Sequence, residues 1–66
     1  MIISSYNGKG WKHCDLQVDF DENHFPTKYI VTDTEYKQTK FPPTKKGAQE
    51  ARKYYENLIS IYKYSE

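Results

Sequence analysis

The sequence predicts an α+β domain in which a three- to four-stranded antiparallel sheet packs against one C-terminal helix. Three observations carry this. Cys14, Leu16, Val18 and Phe20 alternate with His13, Asp15, Gln17 and Asp19, the period-two pattern of a strand with one packed and one wet face. Ala48, Ala51, Tyr55, Leu58 and Tyr62 recur at spacings of three and four, which puts them on one stripe of an α-helix. Between the two patterns stands Pro42-Pro43, which withholds ladder donors and ends the sheet region. We expect one domain over residues 1–66, with the sheet at about 1–41 and the helix at about 44–64.

Met1 to Tyr6 reads as the first strand, rich in β-branched Ile2 and Ile3. Asn7-Gly8-Lys9-Gly10 follows as hairpin chemistry, since Asn and Gly accept positive φ cheaply. Trp11 to Phe20 is the clearest strand. Trp11 has the parity of the wet face, where it would be a candidate interface anchor; a turn near Gly10 would instead swing it over the core edge. Asp21 to His24 is a polar loop, and Pro26 is expected to keep the residues after it irregular. Lys28 to Thr32 is a third strand, Asp33-Thr34-Glu35 a turn, and Tyr36 to Phe41 a short Lys-rich fourth strand suited to a sheet edge. One long strand from Lys28 to Thr39 is the alternative.

Thr44 is the expected helix N-cap. The next three residues are poor choices for a first turn. Lys45 and Lys46 oppose the positive end of the helix dipole, and Gly47 costs roughly 1 kcal/mol against Ala. Such an inconsistency suits an anion-binding site, or a solvated start to a helix held by its later turns. The expected core is Leu16, Val18, Phe20, Ile30, Phe41, Ala48, Ala51, Tyr55, Leu58 and Tyr62.

Composition bounds the function. A chain of 66 residues buries only about 60% of its unfolded surface, so its core is marginal. Cys14 is the sole cysteine, which fits a reducing compartment. We read neither a secretory leader nor a membrane-spanning run, and expect a cytoplasmic protein without membrane contact. His13 and Cys14 are adjacent, so a strand points them to opposite faces. They form neither a metal pair nor a nucleophile–base pair. No metal, cofactor or enzymatic activity is expected, and the domain is small for an enclosed substrate pocket.

Seven Tyr, three Phe and one Trp are many for this length, and Tyr serves a small core edge and a binding surface equally well. Charge is segregated. Asp15, Asp19, Asp21, Glu22, Asp33 and Glu35 face Lys28 alone over residues 13–35, whereas residues 36–66 are basic.

The run Phe41-x-x-Thr44-Lys45-Lys46-x-Ala48-x-x-Ala51, after strands and before an aromatic-bearing helix, resembles the arm-type DNA-binding domain of phage and transposon integrases. Trp11, Tyr29, Phe41, Thr44, Ala48 and Ala51 would match its structural positions, over about two-thirds of the chain. That resemblance implies a three-stranded sheet on one helix, with DNA read by the exposed sheet face. The family's sheet face is basic, whereas the wet face here carries Asp15 and Asp19. By class rather than by motif, a short Lys-, Tyr- and Ile-rich chain is also similar to small bacteriophage and prophage accessory proteins. Many of those block a host or defence protein, CRISPR nucleases included.

Two functions from different classes follow. The first is a non-catalytic, phage-type binding protein that inhibits or modulates a larger protein, acting in the host cytoplasm and touching it through Trp11, Tyr36, Tyr54 and Tyr64. The second is nucleic-acid binding through Lys37, Lys40, Lys45, Lys46, Arg52 and Lys53, which requires that these converge on one face. A homodimer through rim tyrosines is compatible with either.

Overall fold

The computed structural model describes residues 1–10 and 12–64. Strands β1 (Ile2–Asn7), β2 (His13–Phe20), β3 (Pro26–Thr32) and β4 (Gln38–Phe41) precede one helix, α1 (Lys45–Tyr64). The strands form a four-stranded antiparallel sheet in sequence order, so β1 and β4 are its edges.

The alternation of β2 sorts the two faces. Cys14, Leu16 and Val18 are buried, and Leu16 pairs with Ser4 on one side and Val31 on the other. Cys14, Leu16, Val31, Ala51 and Tyr55 form the core, with Tyr6, Tyr29, Phe41, Leu58, Ile59 and Tyr62 packed around it. The helix stripe thus lies where its periodicity puts it. It covers β2, β3 and β4 and leaves β1 largely bare. Val31 and Cys14 are the largest fully buried side chains; Cys14 lies on the face of β2 that its alternation predicts to pack, whereas Val31 is outside the expected core set. Ile30 is buried too, but on the face away from the helix, between its register partners Gln17 and Lys40.

Phe20 departs from expectation: it is 45% exposed. The β2–β3 register shifts between Asp19 and Phe20, which sets Phe20 opposite Pro26. The bulge breaks the alternation that carries Leu16 and Val18 into the core. Pro26 starts β3 instead of keeping the chain irregular, an allowed place for a residue without an amide donor. The strand expected from Trp11 begins at His13, and the one expected from Tyr36 begins at Gln38. Lys28–Thr39 is therefore a hairpin.

Two of the hairpins use one loop design. Asp21 Oδ1 accepts the amides of Asn23 (2.8 Å) and Phe25 (3.0 Å), and Asp33 Oδ1 accepts those of Glu35 (2.9 Å) and Lys37 (3.0 Å). Each aspartate carbonyl also accepts the amide three residues on, from His24 and Tyr36. Those two residues turn to φ 65° and 64°. The carboxylate satisfies donors that a five-residue loop would otherwise leave bare. The β1–β2 hairpin closes with the same spacing, Gly8 donating to the Lys12 carbonyl at 2.8 Å.

Thr44 caps the helix as expected, its hydroxyl accepting the Gly47 amide at 3.0 Å. The place of Gly47 is explained by packing. A Cβ there would overlap the Pro42 carbonyl oxygen and approach the Pro42 ring Cγ to 3.0 Å. Glycine lets the first turn sit directly on the chain that enters it. Its low helix propensity is therefore a packing requirement at the junction with the sheet.

Candidate functional site

Six β1 residues, Ile-Ile-Ser-Ser-Tyr-Asn, carry no charge and no proline. An edge strand normally has such features to discourage a further strand. The backbone pattern defines which groups face outward. Met1 exchanges both bonds with Val18, its terminal amine donating at 2.8 Å and its carbonyl accepting at 2.9 Å. Gly8 donates to Lys12 at the other end. The alternation of an antiparallel ladder then ties Ser4 and Tyr6 to β2 and turns the amides and carbonyls of Ser5 and Asn7 outward.

Beside this edge lies a groove of about 400 Å³. Ile3, Leu16 and Tyr29 from three strands make its floor, and Lys45, Ala48, Gln49 and Arg52 of α1 make its wall. It exists because the helix lies over β2 to β4. Lys45 and Arg52 are seven residues apart, about two helical turns or 10 Å, and so lie on one side of the helix. Among the described residues neither makes an ion pair.

Exposed apolar side chains continue from the same end of the sheet. Met1 is 70% exposed, Ile2 58% and Phe25 65%. Phe20 stands opposite Pro26 beside the loop that Phe25 closes. Sequence reasoning missed Ile2, Ile3 and Phe25 as surface residues. The available signal was that a first strand paired on one side only has less to cover it.

The tyrosines expected at an interface are spread out. Tyr36 is the tip of the β3–β4 loop, 75% exposed, with its ring edge-on to His13 at 5.2 Å. Together with Asn7, Gly8, Gly10, Lys12, His13 and Thr34 it lines a second depression, of about 320 Å³, at the far end of the sheet. Tyr64 is exposed at the end of α1. Tyr54 packs on Phe41 at 5.9 Å, on the β4 side. Trp11 lies outside the described residues.

The basic residues are divided as well. Lys45 and Arg52 share the groove wall. Helical geometry of about 100° per residue turns Lys46 and Lys53 away from that wall. Lys40 pairs with Ile30 on the opposite face of the sheet, and Lys37 sits in the loop at the far end. On that opposite face Asp19 meets Lys28 at 3.7 Å.

The thiol of Cys14 is fully buried. Burial, with the nearby Asp15 charge adding to it, pushes its pKa up from 9.0 to about 11, the direction of an unreactive structural thiol. Among the described residues no three His, Cys, Asp or Glu side chains gather in a way that could hold a metal ion. No described helix is long and apolar enough to cross a membrane.

The fold and surface together define a small sheet-on-helix domain with one uncharged free edge. The chain matches no family model, and comparison with curated proteins and with solved structures finds no match either.

Proposed function

We propose that this protein is a non-catalytic binding protein that inhibits or modulates a larger protein, in the manner of small phage accessory proteins that block a host or defence factor such as a CRISPR nuclease. One observation carries the reading. Ile2, Ile3, Phe20 and Phe25 are all exposed at the end of the sheet where β1 begins, with Ile3 on the groove side and Ile2 on the other face, beside the uncharged β1 edge. Grouped exposed apolar side chains on a small domain mark a surface that another protein covers. Nucleic-acid binding would instead draw on a shared basic face, and the six basic residues point in several directions.

The test has two arms. In the first, the purified protein is titrated with mixed DNA and RNA fragments at about 50 mM and about 200 mM salt, the range over which phosphate contacts weaken steeply. No salt-sensitive binding is expected. In the second, the protein is expressed in bacteria with active CRISPR interference, and survival of a targeted plasmid is counted. Protection that disappears in an Ile3→Asp, Phe25→Asp variant of unchanged fold is the expected result. Tight binding that collapses with salt would replace this reading with the nucleic-acid one, and undiminished interference would remove the nuclease as target.

A further inference from the structure

The β1 edge and its groove specify the chemistry of an occupant, and this inference rests on the protein-binding reading above. We propose that a partner adds an extended segment to β1 as a fifth strand, with a groove-facing row of side chains that reads carboxylate, apolar, carboxylate.

The backbone half of the recognition is explicit. Ser5 and Asn7 turn their amides and carbonyls outward, two residues apart, as an incoming strand requires. Nothing in the β1 sequence resists this addition, in contrast to β4, which is only four residues long and carries Lys40.

The side-chain half comes from the groove. A strand added about 4.8 Å beyond β1 points alternate side chains toward the helix side, beyond Ser4 and Tyr6. There they meet Ile3 at the near rim of the groove and face the wall that holds Lys45 and Arg52. Groove-facing residues four apart in a strand are about 13 Å apart. That distance suits two cations about 10 Å apart on flexible stems. Two carboxylates therefore reach Lys45 and Arg52, and the residue midway between them meets Ile3 at the near rim. A second copy of this chain does not supply that chemistry. Its own β1 contains no carboxylate, and pairing two such edges would bring like-charged walls together.

The probe is the capped peptide Thr-Glu-Thr-Val-Thr-Glu-Thr, raised to millimolar concentration against the whole chain and followed by amide-resolved NMR. The control replaces both Glu by Lys. The acidic peptide is expected to shift the amides of Ile2–Asn7 and of Lys45–Arg52, and the basic peptide to bind at least tenfold more weakly. Ser5→Pro removes an outward amide that the fold itself does not use, and is expected to abolish the response. Should that variant misfold, the exposed pair Lys45→Glu, Arg52→Glu serves instead and must reverse the preference toward the basic peptide.

Equal response to both peptides, no response, or shifts confined to the Tyr36 depression overturn strand addition while leaving protein binding by another surface standing. Shifts of β1 that grow with protein concentration in the absence of peptide overturn it in favour of a second copy. A groove that responds to DNA or RNA at about 50 mM salt, and not to the acidic peptide, overturns both this inference and the reading beneath it.

Discussion

The hydroxyl of Thr34 bonds both backbone groups of His13, donating to its carbonyl at 2.9 Å and accepting from its amide at 3.1 Å. The regular β2–β3 pairing ends at Asp15 and Thr32, so this side chain continues the connection where the ladder stops. The Thr34 amide in turn donates to the Tyr62 hydroxyl at 3.1 Å. One loop residue thus links the start of β2 to the end of the helix. Thr34→Val leaves two part-buried backbone groups without this partner, and should lower stability by about 1–3 kcal/mol. For a domain of this size each kcal/mol is about 4–8 °C in Tm. Thr34→Ser should recover most of the loss, and Tyr62→Phe should cost about 1 kcal/mol. Thermal melts of the three variants check this, and an unchanged Tm for Thr34→Val would show the link to be energetically idle.

Gly47→Ala should destabilise the protein even though alanine is worth roughly 1 kcal/mol more than glycine within a helix. The added methyl overlaps the Pro42 carbonyl, and forcing backbone apart in a packed junction typically costs about 1–3 kcal/mol or more. A net loss is expected in urea unfolding. A rise in the urea midpoint would mean that the Pro42–Thr44 segment moves aside freely.

Thr32→Val should stabilise the protein. Thr32 is buried on the face away from the helix, and its hydroxyl has no hydrogen-bond partner among the described residues. Removing an unsatisfied buried hydroxyl while keeping the branched shape should gain about 1 kcal/mol. The expected signature is a higher urea midpoint with an unchanged m-value. A lower midpoint would show that the hydroxyl is satisfied in solution.

Stability should fall on the alkaline side. Folding holds the Cys14 thiol near 11 against an ordinary 9.0. Tyr55 is also raised above its ordinary 10.0, by burial first and then by Cys14 and Asp15, with Arg52 opposing. With both folded values raised, the unfolded chain loses its protons first. Stability contributed by the neutral groups is full below about pH 9 and drains away as pH climbs toward 11. Urea midpoints at pH 8, 9.5 and 10.5 should decline, and Cys14→Ala should remove the part of the decline that starts near 9. A flat wild-type profile would contradict the direction of both shifts.

Period-two alternation in β2 and the three-four spacing in α1 were legible because each is a local pattern tied to backbone geometry. Pro42-Pro43 and the Thr44 cap were legible for the same reason, since they act on their own neighbours. The positive-φ positions at His24 and Tyr36 were not. Neither is a glycine, and each turn is held by an aspartate three residues earlier. The candidate site was the least legible part. Ile2 and Ile3 read as an ordinary strand, and Lys45 and Arg52 as two members of a basic set.

The sequence by itself determined the α+β class, the strand-then-helix order, the packed face of β2 and the buried stripe of α1. Tertiary structure alone decided that a bulge after Asp19 puts Phe20 at the surface, and that Gly47 is needed against Pro42. It also decided that the helix leaves β1 largely bare, beside two cations that make no ion pair among the described residues. The physical reason is range. Periodicity is set by dihedral geometry within a few residues, whereas exposure depends on which distant element covers a position. That is settled by register and by where a helix too narrow for four strands comes to rest.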